Sequence, residues 1–111
     1  MSMDAVFKAL ADPSRRALLD SLHARTGQTL GELCAEHSMS RQAVAKHLLL
    51  LEQANLVVVQ WRGREKLHYL NPVPIHDIAD RWIGKFERTR LRVLAKLKRR
   101  LEAEIDDSQE D

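Results

Sequence analysis

The sequence predicts a mainly α-helical fold with a β-hairpin wing, a winged helix-turn-helix of element order ααααββα ending in a long C-terminal helix. Three observations carry that expectation. Two capped amphipathic segments meet across the short break His37-Ser38-Met39, the signature of two helices joined by a tight turn. From Leu56 the apolar residues alternate instead of recurring at helical spacing, and after Pro72 and Pro74 the helical spacing returns. A chain of 111 residues has room for one domain, since domains take about 100 to 200 residues each. Residues 1–104 are assigned to it and 105–111 to an acidic, disordered tail.

Each element has a local cause. Val6, Phe7, Leu10 and Ala11 predict a short first helix. Asp12-Pro13 predicts the start of a second, to about Arg25, because the acid caps free N–H groups and proline at the first helical position has no donor to waste. Thr29-Leu30-Gly31-Glu32 fits a capping box and opens a helix over about 30–36. Ser40 caps the next, to about Ala54. Val57, Val59 and Trp61 alternate with Val58 and Gln60, a strand pattern rich in β-branched residues. Arg62-Gly63-Arg64-Glu65 turns the chain into a second strand, Lys66 to Leu70. Asn71-Pro72-Val73-Pro74 interrupts both periods, and one long helix is predicted from about Ile75 to Glu104.

Composition narrows the class of protein. Hydrophobic residues are 44% and charged residues 31%, the balance of an ordinary soluble globule. The longest apolar runs, Leu48–Leu51 and Leu56–Val59, fall far short of the roughly 20 residues of a bilayer span. The N-terminus has no basic region followed by an apolar stretch, so a cytoplasmic location and no membrane partner are expected. The single cysteine, Cys34, cannot form an internal disulfide. Net charge is only +2, but unevenly spread: residues 37–70 hold five lysines and arginines against two acids, and the rest of the chain thirteen against fourteen.

That uneven charge points at nucleic acid. At about 100° per residue, Leu48 and Leu51 fall within about 40° of Val44 and mark the buried face of the helix after the turn. Gln42, Ala45, Lys46 and Leu49 lie opposite, and Ser40 and Arg41 stand in or before the first turn. Hydroxyl, guanidinium, amide and ammonium groups near a helix N-terminus are the groups that read base edges and phosphates. Ser40, Arg41, Gln42, Ala45, Lys46 and His47 are therefore the candidate contacts on this helix; His47 either donates to a phosphate or packs against the hairpin. Leu49 is read as an exposed leucine. At the hairpin tip, Arg62, Arg64 and Lys66 around Gly63 suit phosphates or a narrow minor groove. The expected partner is double-stranded DNA. The aromatic residues mostly occupy apolar periodic positions, so stacking platforms for single strands are not expected. No nucleophile, base and orienting group suggest an enzyme.

The long helix carries more apolar positions than one small domain can cover. Trp82, Phe86, Leu94 and Leu97 predict self-association, and two-fold dimers are the commonest oligomers. A dimer sets two reading helices about 34 to 36 Å apart, one turn of DNA. The cations from Arg88 to Arg100 are followed by acids only; the last four are read as a solvated face complementing the helix C-terminus, and Arg88 to Arg92 either join that face or contact phosphates or the partner's acidic tail.

Four blocks resemble the ArsR (ArsR/SmtB) family of bacterial transcriptional regulators over roughly residues 4 to 95. They are Phe7-Lys8-Ala9-Leu10-Ala11-Asp12-Pro13-Ser14-Arg15-Arg16, Ser40-Arg41-Gln42-Ala43-Val44-Ala45-Lys46-His47-Leu48, Leu51-Glu52-Gln53-Ala54-Asn55-Leu56-Val57 and Arg62-Gly63-Arg64-Glu65. The resemblance implies a homodimer joined through the first and last helices, adding Val6, Phe7, Leu10 and Ile78 to the interface, and repression at a palindromic operator. Similar regulators with the Asp80-Arg81-Trp82-Ile83 and Phe86-Glu87 stretch are often encoded beside a START-like ligand-binding protein and commonly lack metal sites. Arsenic-sensing members pair two cysteines where this chain has Cys34 and an alanine. Zinc-sensing members use ligands along the last helix, where His76 and Glu87 partly match but Pro74 and Arg90 do not, short of a tetrahedral set. No cofactor is expected, and Cys34, His76 and Glu87 are weak metal candidates. A protein-contact winged helix and a metal-responsive repressor are the alternatives, and an unidentified small-molecule effector is left open.

Overall fold

Asp12 and Pro13 organise the N-terminal pair of helices in the computed structural model, which describes residues 3–83 and 88–109. α1 spans Met3–Leu10 and α2 Pro13–Ala24. The Asp12 carboxylate accepts from the backbone N–H of Ser14 at 2.8 Å and of Arg15 at 3.1 Å, filling two donors that a helix start leaves open. α3, Leu30–Glu36, begins at the expected capping box: Thr29 Oγ1 accepts from Glu32 N–H, and the Glu32 carboxylate accepts from Thr29 N–H. α4, Arg41–Gln53, starts at Ser40, whose Oγ accepts from Ala43 N–H at 3.1 Å.

The end of α4 sets where the hairpin leaves. Asn55 takes a left-handed backbone, φ 60°, and its N–H donates to Glu52 O while Leu56 N–H donates to Leu51 O. This is a Schellman motif with asparagine in the place glycine usually takes. β1, Val57–Arg62, then pairs antiparallel with β2, Glu65–Leu70, in the register Val57↔Leu70 and Arg62↔Glu65. The loop is Gly63-Arg64, with positive φ at the glycine alone, the requirement of a tight type II′ hairpin turn. Asn71 clamps the hairpin's base: its backbone N–H donates to Leu56 O and its side-chain amide to Asn55 O, both at 2.8 Å.

The core lies where α2, α3 and α4 converge beneath the hairpin's base. Leu18, Leu22, Leu33, Val44, Leu51 and Leu56 are fully buried there. Two polar residues join them. Gln28 donates its amide to the carbonyls of Ser21 and Arg25 at the end of α2. Its backbone bridges His68 of β2 as a one-residue third strand.

The C-terminal expectation needs correction. α5 spans Val73–Trp82, starting before Ile75, and α6 spans Arg88–Gln109; the described order is ααααββαα. Pro74 is tolerated because it stands in the first turn, where N–H groups have no helical partner. Asn71 Oδ1 accepts from Val73 N–H as a cap. α5 gives way to a turn at Ile83. At the other end α6 runs to Gln109 rather than ending near Glu104, so residues 105–109, assigned to the tail, are helical. The described chain divides into one unit ending at Ile78 and another beginning at Ala79.

The caps make the N-terminal unit acid-sensitive. Backbone N–H donation from Arg15 holds the Asp12 carboxyl below its ordinary 3.8, and donation from Thr29 holds Glu32 below its ordinary 4.5. Because both folded values are depressed, their stabilisation is complete above these ordinary values and is lost as pH falls through the lowered folded ones. Thermal unfolding between pH 3 and pH 6 should show Tm falling on the acid side, with a shallower slope in Asp12→Asn.

Candidate nucleic-acid interface

The polar side of α4 faces away from the core as its periodicity requires. Val44, Leu48 and Leu51 are buried, and Arg41, Gln42, Ala45 and Lys46 are exposed. Arg41, Gln42 and Lys46 have no intramolecular partner among the described residues, so their donors stand ready for a ligand. Ser40 is exposed, with its oxygen engaged in the cap. Leu49 is exposed as expected.

The wing residues divide into engaged and free. Arg62 and Glu65 approach to 3.6 Å across the turn, an exposed pair of little energetic weight. Lys66 reaches 3.6 Å from Glu52, tying the hairpin to α4. Arg64 has no partner among the described residues. A cleft of about 500 Å³ separates the wing from α3 and α4, and Arg41, Ala45, Arg64 and Lys66 all line it. The fold thus brings candidates from both motifs to one concave surface.

His47 Nδ1 lies 3.4 Å from Arg15 Nη1 of α2. A guanidinium only donates, so Nδ1 accepts and the ring proton sits on Nε2. Arg15 is itself anchored by donation to Ala9 O and Lys8 O, both at 2.9 Å, and by Asp12 at 3.8 Å. Sequence reasoning quoted Arg15 within a family block without seeing that it joins α1, α2 and α4.

Two further residues were missed. Trp61 was placed on an apolar strand face, yet it is 64% exposed and lines the cleft. The hairpin projects past the core there, so alternation continues with no interior to point into. His68 is 3% exposed and also lines the cleft. Its Nδ1 lies 2.9 Å from Gln28 O, and since a carbonyl only accepts, that nitrogen carries the proton.

The proposed interface residues are placed as follows. Val6 is 2% exposed, its side chain packed in the protomer's own core. Leu10 and Ile78 are half-buried against the same core. Phe7, Trp82, Leu94 and Leu97 are exposed, Trp82 with the Arg81 guanidinium 5.5 Å from its ring centroid. Phe86 and Glu87 lie outside the described residues. Of the metal candidates, Cys34 is half-buried against the core and His76 is exposed beside Asp77. Among the described residues no three His, Cys, Asp or Glu side chains cluster as a metal site would need, and no helix is long and apolar enough to cross a membrane.

The fold is a winged helix-turn-helix, with exposed cations on α4 and on the wing. A family model described as a helix-turn-helix domain matches residues 10–60. The HTH-type transcriptional regulator YuzN of Bacillus subtilis is 41% identical over 86 residues, covering 72% of this chain and 94% of that protein. The transcriptional repressor SdpR of Bacillus subtilis is 32% identical over 84 residues, covering 76% of this chain and 91% of that protein. An ArsR-like transcriptional regulator from Rhodococcus sp. RHA1 has a similar structure, with TM-score 0.66 and 31% identity over 98% of this chain and 92% of that one. The chain belongs to the ArsR family of winged helix-turn-helix, DNA-binding transcriptional regulators.

Proposed function

We propose that the protein is a dimeric repressor that binds a palindromic operator, α4 of each protomer entering a major groove and each wing holding the flanking backbone. The observation that carries this reading is the set of partnerless donors on one side of α4, Arg41, Gln42 and Lys46, beside the partnerless Arg64 of the wing. Groups already committed to internal ion pairs cost energy to redirect to DNA; these do not. The similarity to a protein named as a transcriptional repressor supports the direction of regulation. The exposed apolar residues Phe7, Trp82, Leu94 and Leu97 support a second copy, which doubles the reading surface.

Gel-shift and footprinting on the promoter region of the protein's own gene, with sedimentation of the free protein at micromolar concentration, test this reading. A protected two-fold site and a dimer support it; a monomer, or no specific shift, counts against it. Arg64→Ala should weaken binding to all sequences alike and lower the slope of log K against log salt by about 1 for each wing that touches a phosphate. A loss confined to particular bases would instead place Arg64 at a base edge.

A further inference from the structure

One buried group in the cleft beside the wing is unused by its neighbours. In the hairpin register Val59 stands opposite His68 and Trp61 opposite Lys66, and cross-strand neighbours such as these share one face of the ribbon. Trp61, Lys66 and His68 line the cleft from the hairpin, and Arg41, Ala45 and Leu48 line it from α4. His68 is buried and Trp61 exposed, so the first lies deep in the cleft and the second at its mouth. Nδ1 of His68 spends its proton on Gln28 O at 2.9 Å, which leaves Nε2 of the neutral ring as an acceptor. That nitrogen has no partner among the described residues. Since no buried side-chain nitrogen or oxygen among them lacks one, Nε2 is not sealed off, and the opening that His68 lines is the cleft.

The charge around this acceptor is uneven. Both acids lining the cleft are already matched, Glu52 by Lys66 and Glu65 by Arg62, each at 3.6 Å. Arg41 and Arg64 have no partner among the described residues. A guanidinium binds a carboxylate through two parallel N–H donors, and the exposed Trp61 indole offers a flat apolar face on which a ring can stack. An apolar wall with a few convergent polar groups is the make-up of a small-molecule site, and the cleft's volume of about 500 Å³ falls within the roughly 300 to 1,000 Å³ such sites occupy.

We propose that the cleft binds a small aromatic acid bearing a hydroxyl group, and that this binding releases DNA. The ring lies on Trp61, the hydroxyl donates to His68 Nε2, and the carboxylate sits with Arg41 and Arg64. The release of DNA rests on the reading above, in which the same two arginines face the duplex. A carboxylate on these guanidinium groups takes the place of phosphate or base, so acid and DNA each weaken the other's binding by the same factor.

Calorimetric titration of the free full-length protein with para-hydroxybenzoate and the longer hydroxynaphthoate tests the site without DNA. At least one should bind, with benzoate or naphthoate lacking the hydroxyl, and phenol or naphthol lacking the carboxylate, each about tenfold weaker, the loss of one hydrogen-bonded or ion-paired group. No heat from either hydroxy acid at millimolar concentration overturns the proposal. Equal affinity for the acid without its hydroxyl would mean that water satisfies Nε2 and would overturn the role of His68. His68→Asn keeps a donor for Gln28 O and removes Nε2, so it should bind both acids alike; should this buried variant fail to fold, the comparison of ligands in the unaltered protein carries the same test. Trp61→Ala, at an exposed position, should weaken both acids about tenfold, and unchanged affinity would move the ring elsewhere and overturn the site. In a gel shift the bound acid should release the promoter fragment; an unchanged shift at saturating acid overturns the competition. Binding of the acid by a protein that gives no specific shift would support the cleft and count against the operator reading.

Discussion

Leu51→Ala is expected to lower folding stability by about 2 to 5 kcal/mol, the range for truncating a fully buried leucine where the surroundings relax only in part. Leu51 is fully buried on the core face of α4, and its carbonyl accepts the Leu56 N–H that closes the turn into the hairpin. A cavity there loosens the joint between α4 and the wing. Against the roughly 5 to 15 kcal/mol that hold a domain of this kind together, the loss is a large fraction of the total. Urea unfolding should show a lower midpoint at unchanged slope. Leu49→Ala, two residues away on the exposed side, should change stability by no more than about 0.5 kcal/mol. Similar losses in both variants would mean that the buried and exposed faces of α4 are misassigned.

Gln42→Ala is expected to relax base preference with little effect on folding. Gln42 is exposed, with no internal partner among the described residues, so its removal leaves the core and the caps intact. A glutamine bidentate to adenine is worth about 1 to 3 kcal/mol of discrimination, roughly 5- to 150-fold in each half-site. Binding to a panel of operators substituted one base pair at a time should become flat at one position per half-site in the variant. Discrimination should persist at the others. Uniform weakening across the panel would assign Gln42 to the phosphate backbone and move specificity to Arg41 or Lys46. The contrast with Arg64→Ala separates the two surfaces, since one variant changes which sequence is bound and the other how tightly any sequence is held.

Most element starts were legible because the signals lie within a few residues. Asp12-Pro13, Thr29 with Glu32, and Ser40 each satisfy donors no more than three residues away, and composition alone can report chemistry of that range. The polar side of α4 was legible for a similar reason, since a helix of known phase with one buried stripe has only one face left for solvent. Pro74 was misleading: proline breaks a helix interior but not a first turn, and only the Asn71 cap reveals which applies. Trp61 misled in the opposite way, because alternation reports a strand without reporting where the core beneath it ends.

By itself the sequence determined the capped helices, the turn between α3 and α4, the hairpin, and the residue types that α4 and the wing present. Those follow from interactions spanning a single turn of helix or one loop. Only the tertiary structure decided which of those side chains are free to bind. Lys66 is held by Glu52, His47 by Arg15, and Val6 by the core, whereas Arg41, Gln42, Lys46 and Arg64 have no internal partner among the described residues. It also decided that Gln28 meets His68, forty residues on. Such pairings depend on how separate elements close around a shared core, and local sequence does not encode the distance between residues that only folding brings together.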